Sequence, residues 1–194
     1  MEPTAVPRTT ALRPVESEPG ALVHSTADRR LATEHWLMAT CPRSSHERIR
    51  AEWQENSVAL LPLGTLFSAV RIPGRLISAM ALTEDLEEVD AFLEDALRGG
   101  PVICAPHGRR YYALVPASVA RTWSEAAKEW RRASVEVLGS GSYLGVPRVD
   151  ATQGDPHTVS YWSVPMESAA VLCAPLAVAR LIAAGLHSMA DDSE

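Results

Sequence analysis

"SVALLPLGTLFSAVRIP", Ser57 to Pro73, holds two short apolar runs that each stop at a proline, Pro62 and Pro73. Proline has no amide hydrogen for a ladder bond and clashes with a continuing regular element, so each run reads as a strand with a fixed end. The same device recurs in "PVICAP", "YYALVP", "SYLGVP" and "SYWSVP", which end at Pro106, Pro116, Pro147 and Pro165. Together these segments predict a sheet of about six strands.

Helical spacing fills the intervals. "TEDLEEVDAFLEDALRGG" and the residue before it place Leu82, Leu86, Val89, Leu93, Ala96 and Leu97 three and four apart, with Thr83 as the expected N-cap and Gly99 as the stop. Ser44 and Glu47 have capping-box spacing at the head of "SHERIRAEWQE", and Pro175 suits the first turn of "PLAVARLIAAGLHSMA". In "SVARTWSEAAKEWRR", Val119, Trp123, Ala127 and Trp130 share one face of a third pattern. The resulting order is helix, helix, strand, strand, helix, strand, strand, helix, strand, strand, strand, helix. It predicts an α+β fold with helices packed on a mostly antiparallel sheet.

That fold is expected over residues 26–189 as one domain. Residues 1–25 carry four prolines among Thr, Ser and Glu; such a composition buries too little surface to offset the entropy of ordering, and it reads as a flexible arm. Residues 190–194, "ADDSE", read as a frayed end. The N-terminal stretch has no apolar run of the kind a secretory signal or membrane span needs. Cys41, Cys104 and Cys173 are odd in number and far apart, which fits free thiols in a reducing compartment, so a cytoplasmic, membrane-free protein is expected. With 18 Lys and Arg against 24 Asp and Glu, the net charge of -6 creates no general attraction to phosphate backbones. Nucleic-acid binding would need a local basic patch.

The chemical motifs are few. Gly139, Gly141 and Gly145 in "LGSGSYLGVPR" fit neither the dinucleotide fingerprint nor the P-loop, and the segment after them reads as strand, not helix. A turn is the first reading and a backbone-amide nest for phosphate the second. The six histidines form no H-E-x-x-H and no cysteine pair has zinc spacing, so no metal site or cofactor is expected. A G-x-S-x-G elbow is missing as well. His107 in "APHGRRYY" falls where a hairpin turn belongs. The acids of Glu84 to Asp95 lie mostly on the water-facing side of their helix, Glu136 stands alone on a strand, and Asp150 and Asp155 fall in turn-like sequence. Arginine and aromatic residues interleave in "GRRYY", Gly108 to Tyr112, and from Arg121 to Arg132 with Trp123 and Trp130. Such interleaving is what a surface for nucleotides or single strands uses, although tryptophans at helical spacing also serve as core.

"SVALLPLGTLFSAVRIP", "GPVICAPHGRRYYALVP" and "VLGSGSYLGVPRVD" with "TVSYWSVP" resemble a group of small actinobacterial proteins similar to the N-terminal domain of bifunctional DNA primase/polymerases, over about Leu31 to Gly185. The resemblance implies a primase/polymerase-type α+β domain. It further implies that active members hold divalent metal on a strand-borne acidic pair and bind nucleoside triphosphate with basic residues and a histidine. No strand here carries D-x-D or D-x-E. The expectation is therefore a non-catalytic, regulatory or binding module for nucleic acid or nucleotide. Its ligand residues would be Arg109, Arg110, Tyr111, Arg131 and Arg132, with Gly139, Gly141 and Tyr143 nearby. The rival expectation is a protein-interaction adaptor, suggested by the acidic balance and five tryptophans. A third, an enzyme pairing His107 or His157 with Asp150, uses only ordinary surface residue types.

Overall fold

The computed structural model describes residues 14–18, 21–154 and 157–191. Pro14–Glu18 (β1) pairs antiparallel with Ala21–His24 (β2), within the stretch expected as an arm, whose residues 1–13 lie outside the described residues, as do residues 192–194. There follow α1 (Thr26–Met38), α2 (His46–Asn56), β3 (Val58–Pro62), β4 (Phe67–Pro73), α3 (Gly74–Ala81) and α4 (Leu86–Leu97). The second half is built from β5 (Val102–Ala105), β6 (Arg110–Pro116), α5 (Val119–Thr122), α6 (Ser124–Trp130), β7 (Glu136–Leu138), β8 (Tyr143–Pro147), β9 (Tyr161–Val164) and α7 (Pro175–Asp191).

Each proline-ended segment forms a strand, and the fold is α+β as expected. The strands do not share one sheet. Five pair antiparallel in the order β7-β4-β6-β5-β9, while β3 and β8 pair separately. The reason is written in their burial. Phe67 to Val70 of β4 are all buried, so that strand is covered on both faces. In β3, Ala59 and Leu61 are buried and Leu60 between them is 56% exposed, the alternation of a strand with one wet face. The smaller sheet thus lies over the larger one.

Alternation along β4 and β6 divides the core between two layers. Val70, Ile72, Ala113 and Val115 face Leu76 of α3, Val89 and Leu93 of α4, and Ile182 of α7. Phe67, Ala69 and Leu114 face the other way, toward Leu37 of α1, Ile49 and Trp53 of α2, and Leu61 and Val146 of the small sheet. Glycine permits one close approach: a Cβ at Gly185 of α7 would lie 2.7 Å from Cγ of Leu76 and 3.1 Å from its carbonyl oxygen.

Several local expectations are corrected. The interval between β4 and β5 holds two helices, because "GRLISAMA" coils directly after Pro73. Leu82 is the left-handed cap of α3, 90% exposed, and belongs to no apolar face. Asp85, not Thr83, caps α4, its carboxylate accepting from the amides of Glu87 and Glu88, while the Thr83 hydroxyl accepts from the Asp85 amide. A single 3-10 turn, Arg43–Ser45, leads into α2, whose N-cap Ser45 makes no side-chain bond, so the Ser44–Glu47 box is not formed. The third helical pattern breaks at Trp123 into α5 and α6. Trp123 and Trp130 still meet edge to face, ring centres 5.5 Å apart, and pack against the core. Cys104 and Cys173 are buried and Cys41 is half-buried, all three as free thiols. Among the described residues, no helix is long and apolar enough to cross a membrane.

Candidate functional site

The β5–β6 hairpin turns through a 3-10 segment, Pro106–Gly108, which confirms the turn position of His107. Arg109 follows in the left-handed region, φ 42°, an unusual conformation for a residue with a Cβ. Its carbonyl accepts a 2.6 Å bond from the amide of Gly74, the first residue of α3. A Cβ on Gly74 would stand 2.8 Å from that carbonyl, so glycine is needed for the two backbones to meet. From the next position, the Arg75 guanidinium reaches across to the Ala133 carbonyl at 3.4 Å and the Ser134 hydroxyl at 3.5 Å.

These contacts gather residues that are distant in sequence. Register places Arg110 opposite Pro73 on β4 and Glu136 of β7 opposite Arg71, so the segments preceding β6 and β7 emerge at the same end of the sheet. The 3-10 turn that carries Arg131 and Arg132 before β7 is therefore at the same end of the sheet as Arg109 and Arg110, and Arg131 lines a hollow of its own with Ala127, Glu136 and Leu138. Two carboxylates enter this rim: Glu84 pairs with Arg109 at 2.9 Å, and Glu136 pairs with Arg71. Among the described residues, Arg110, Arg131 and Arg132 take part in no ion pair.

Beside Arg109 lies a pocket of about 270 Å³ whose wall includes Ser78, Glu84, Cys104, His107, Arg109 and Tyr111. Tyr111, expected as a stacking residue, points into this side and is 5% exposed; Tyr112, half-buried, is on the opposite face of β6 with Arg110 and Arg71. Cys104 lies opposite Tyr111 on one side and Tyr161 on the other. The Tyr161 hydroxyl donates to Oδ1 of Asp90 at 3.1 Å, and the Ser163 hydroxyl donates to the same oxygen. Burial holds the Asp90 carboxyl up at about 6, against the opposing pull of its bonds from Ser163 and Tyr161. Burial likewise pushes the Cys104 thiol up to about 11, which keeps it protonated at neutral pH and unreactive. The phenols of Tyr111 and Tyr161 are raised, also through burial.

The remaining expected residues lie elsewhere. Gly139 to Ser142 form a turn closed by the Ser142 amide on the Gly139 carbonyl, with Gly141 at φ 85°. This is not a hairpin, because β7 pairs with β4 and β8 with β3. Gly139 packs beside Ala120 and near Ser68, and Ser68 is five positions along β4 from Pro73, about 17 Å at the usual rise per residue. Tyr143, 67% exposed, belongs to the smaller sheet. The glycine turn and Tyr143 are thus separated from the arginine rim. His107 and Asp150 line different cavities, and the Asp150 carboxylate is held by Arg148; Asp155 is outside the described residues.

Sequence reasoning missed Arg75 and Asp90. The second left a signal: Asp90 sits four residues after Leu86 and three before Leu93, within the apolar stripe and not on the wet face. Among the described residues, no group of three His, Cys, Asp or Glu side chains is placed to hold a metal ion. No family model, no curated protein and no solved structure matches the chain.

Proposed function

We propose that this chain is a non-catalytic, primase/polymerase-like module that binds single-stranded nucleic acid or nucleotide at the arginine-bearing end of its five-stranded sheet. The observation that supports the reading is that the Gly74–Arg109 and Arg75–Ser134 contacts, with the register of β4, bring the segments carrying Arg75, Arg109, Arg110, Arg131 and Arg132 to one end of the sheet. In a protein of net charge -6, Arg110, Arg131 and Arg132, which take part in no ion pair among the described residues, concentrate positive potential where phosphates are to be held. Tyr112 shares the face of Arg71 and Arg110 and is half-buried against the core layer under the small sheet, so the reading rests on the arginines and not on a stacking tyrosine. The test is a titration against labelled single-stranded and duplex DNA at low and physiological salt, with nucleoside triphosphates as competitors. Saturable binding that survives physiological salt and is lost in Arg109→Ala with Arg110→Ala supports the module; unchanged affinity in that double variant removes the surface.

The adaptor reading draws on a separate trough of about 610 Å³ between α3, α4 and α7. It is lined by Met80, Phe92, Leu176 and Leu181, with Arg98 and Arg180 as the charged residues of its wall. Such a trough suits an apolar segment that carries acids. This reading predicts a partner retained after nuclease treatment and released by Leu176→Glu; retention by the variant counts against it.

A further inference from the structure

On the α1 and α2 layer, α1, α2 and the chain leaving β8 line an open cleft of about 550 Å³, within the range of small-molecule sites. Each of the three elements contributes one arginine to it: Arg30, Arg50 and Arg148. The position of Arg148 is built rather than incidental. Its amide donates to the Ser57 carbonyl at 3.0 Å, and its carbonyl accepts from the indole nitrogen of Trp162, also at 3.0 Å. Two residues earlier, the Val146 carbonyl accepts from the indole of Trp53 at 2.9 Å, and the Ala151 carbonyl accepts from the Trp162 amide at 2.8 Å. Both tryptophans are buried. A buried indole N–H requires an acceptor, and here both are committed to the backbone that presents Arg148.

The Arg148 guanidinium is then oriented by Asp150, its Nε and Nη2 donating to the two carboxylate oxygens at 3.0 and 2.7 Å. Arg50 and Glu34 face each other at a looser 3.7 Å. Among the described residues, Arg30 takes part in no ion pair, so the arginines exceed the carboxylates of the wall by one. An adjoining hollow that shares Arg30 and Val149 adds Arg29, Thr152 and Glu167.

We propose that this cleft is a second ligand site, for a small organic phosphate. A lone carboxylate ligand has two oxygens, which one guanidinium fork satisfies; three guanidinium groups lining one cleft, one of them already oriented by Asp150, suit the three oxygens of a phosphate monoester. The cleft is larger than phosphate alone needs, and Leu31, Val149 and the edge of Trp53 offer apolar wall to an attached organic group. The site is independent of the sheet-end surface.

Calorimetric titration of the full chain with adenosine monophosphate, ribose 5-phosphate and inorganic phosphate tests it. At least one organic phosphate is expected to bind more tightly than inorganic phosphate. Arg30→Ala is expected to weaken that binding about tenfold, the worth of one charge-assisted bond. Arg148→Lys, which keeps the charge but loses the planar group that Asp150 orients, is expected to weaken it as well, while ribose 5-phosphate, which carries no base, is expected to keep its affinity in Arg109→Ala with Arg110→Ala. Unfolding midpoints of the variants establish that each is folded. No binding of any probe, or binding lost in the Arg109 and Arg110 variant but kept in Arg30→Ala, overturns the cleft as the site. The second of these results would leave the sheet-end module standing.

Discussion

The hydroxyl of Tyr161 on β9 donates to Oδ1 of Asp90 on α4 at 3.1 Å, so a carboxylate on the helix layer is tied to an edge strand of the sheet. Because burial raises its pKa to about 6, Asp90 binds its proton more tightly folded than unfolded, where the ordinary value is 3.8. For an acid raised in this way, the stabilisation is fully present below the unfolded value and is lost as pH climbs through the folded value. Asp90→Asn keeps an oxygen for Tyr161 and Ser163 but cannot ionise. The variant's unfolding midpoint relative to the parent is expected to rise between about pH 4 and 7. A constant difference across that window, in thermal melts followed by circular dichroism, would refute the ionisation argument.

Packing of α7 on α3 supplies a second expectation. In an exposed helix, Gly→Ala gains roughly 1 kcal/mol. At Gly185 the new methyl would overlap the fully buried Leu76, whose Cγ lies 2.7 Å from the Cβ position, and overpacking of a filled core costs about 1–3 kcal/mol. The clash therefore wins, and Gly185→Ala is expected to lower stability in urea unfolding. A stabilised variant would show that α7 can slide away from α3 without loss.

Much of this fold is legible in the sequence because its punctuation is local. Proline marks the ends of six strands, β3, β4, β5, β6, β8 and β9, and the apolar stripe Leu86, Val89, Leu93 and Leu97 marks α4. What escapes is non-local. Nothing in "SVALLP" specifies that β3 pairs with β8, more than eighty residues away, instead of joining β4; burial on one face or two decides it, and burial depends on the rest of the chain. The site divides in the same way. Arg109 and Arg110 stand out as an arginine and aromatic run, yet their place at the same sheet end as Arg131 and Arg132 depends on the register of β4 between β6 and β7. Alternation along β6 also decides between two adjacent tyrosines, burying Tyr111 and leaving Tyr112 beside Arg110.

The glycine turn provides a control. Gly141 has φ 85°, and no atom lies within 4 Å of where an added methyl group would stand, so Gly141→Ala introduces backbone strain without a clash. It is expected to cost about 1 kcal/mol of stability while leaving nucleic-acid affinity unchanged, because the turn is remote from the arginine rim. Loss of affinity in a folded Gly141→Ala protein would return the amide nest to consideration.

Gly74 gives the sharpest link between fold and proposed function. Its amide bond to the Arg109 carbonyl holds α3 against the hairpin, and a methyl group there would meet that carbonyl at 2.8 Å. Gly74→Ala is expected to separate the two, weakening single-strand binding without removing a charge. Charge loss and misplacement differ in their salt dependence. Each phosphate contact contributes about 0.7 to the slope of log affinity against log salt for single strands, so Arg109→Ala with Arg110→Ala is expected to lower that slope by about 1.4 if both contact phosphate. Gly74→Ala leaves the number of arginines intact, and its affinity is expected to fall with a smaller change in slope. Equal slopes for the parent and the double arginine variant, with equal affinities, would mean that the rim does not contact phosphate, whatever else the chain binds.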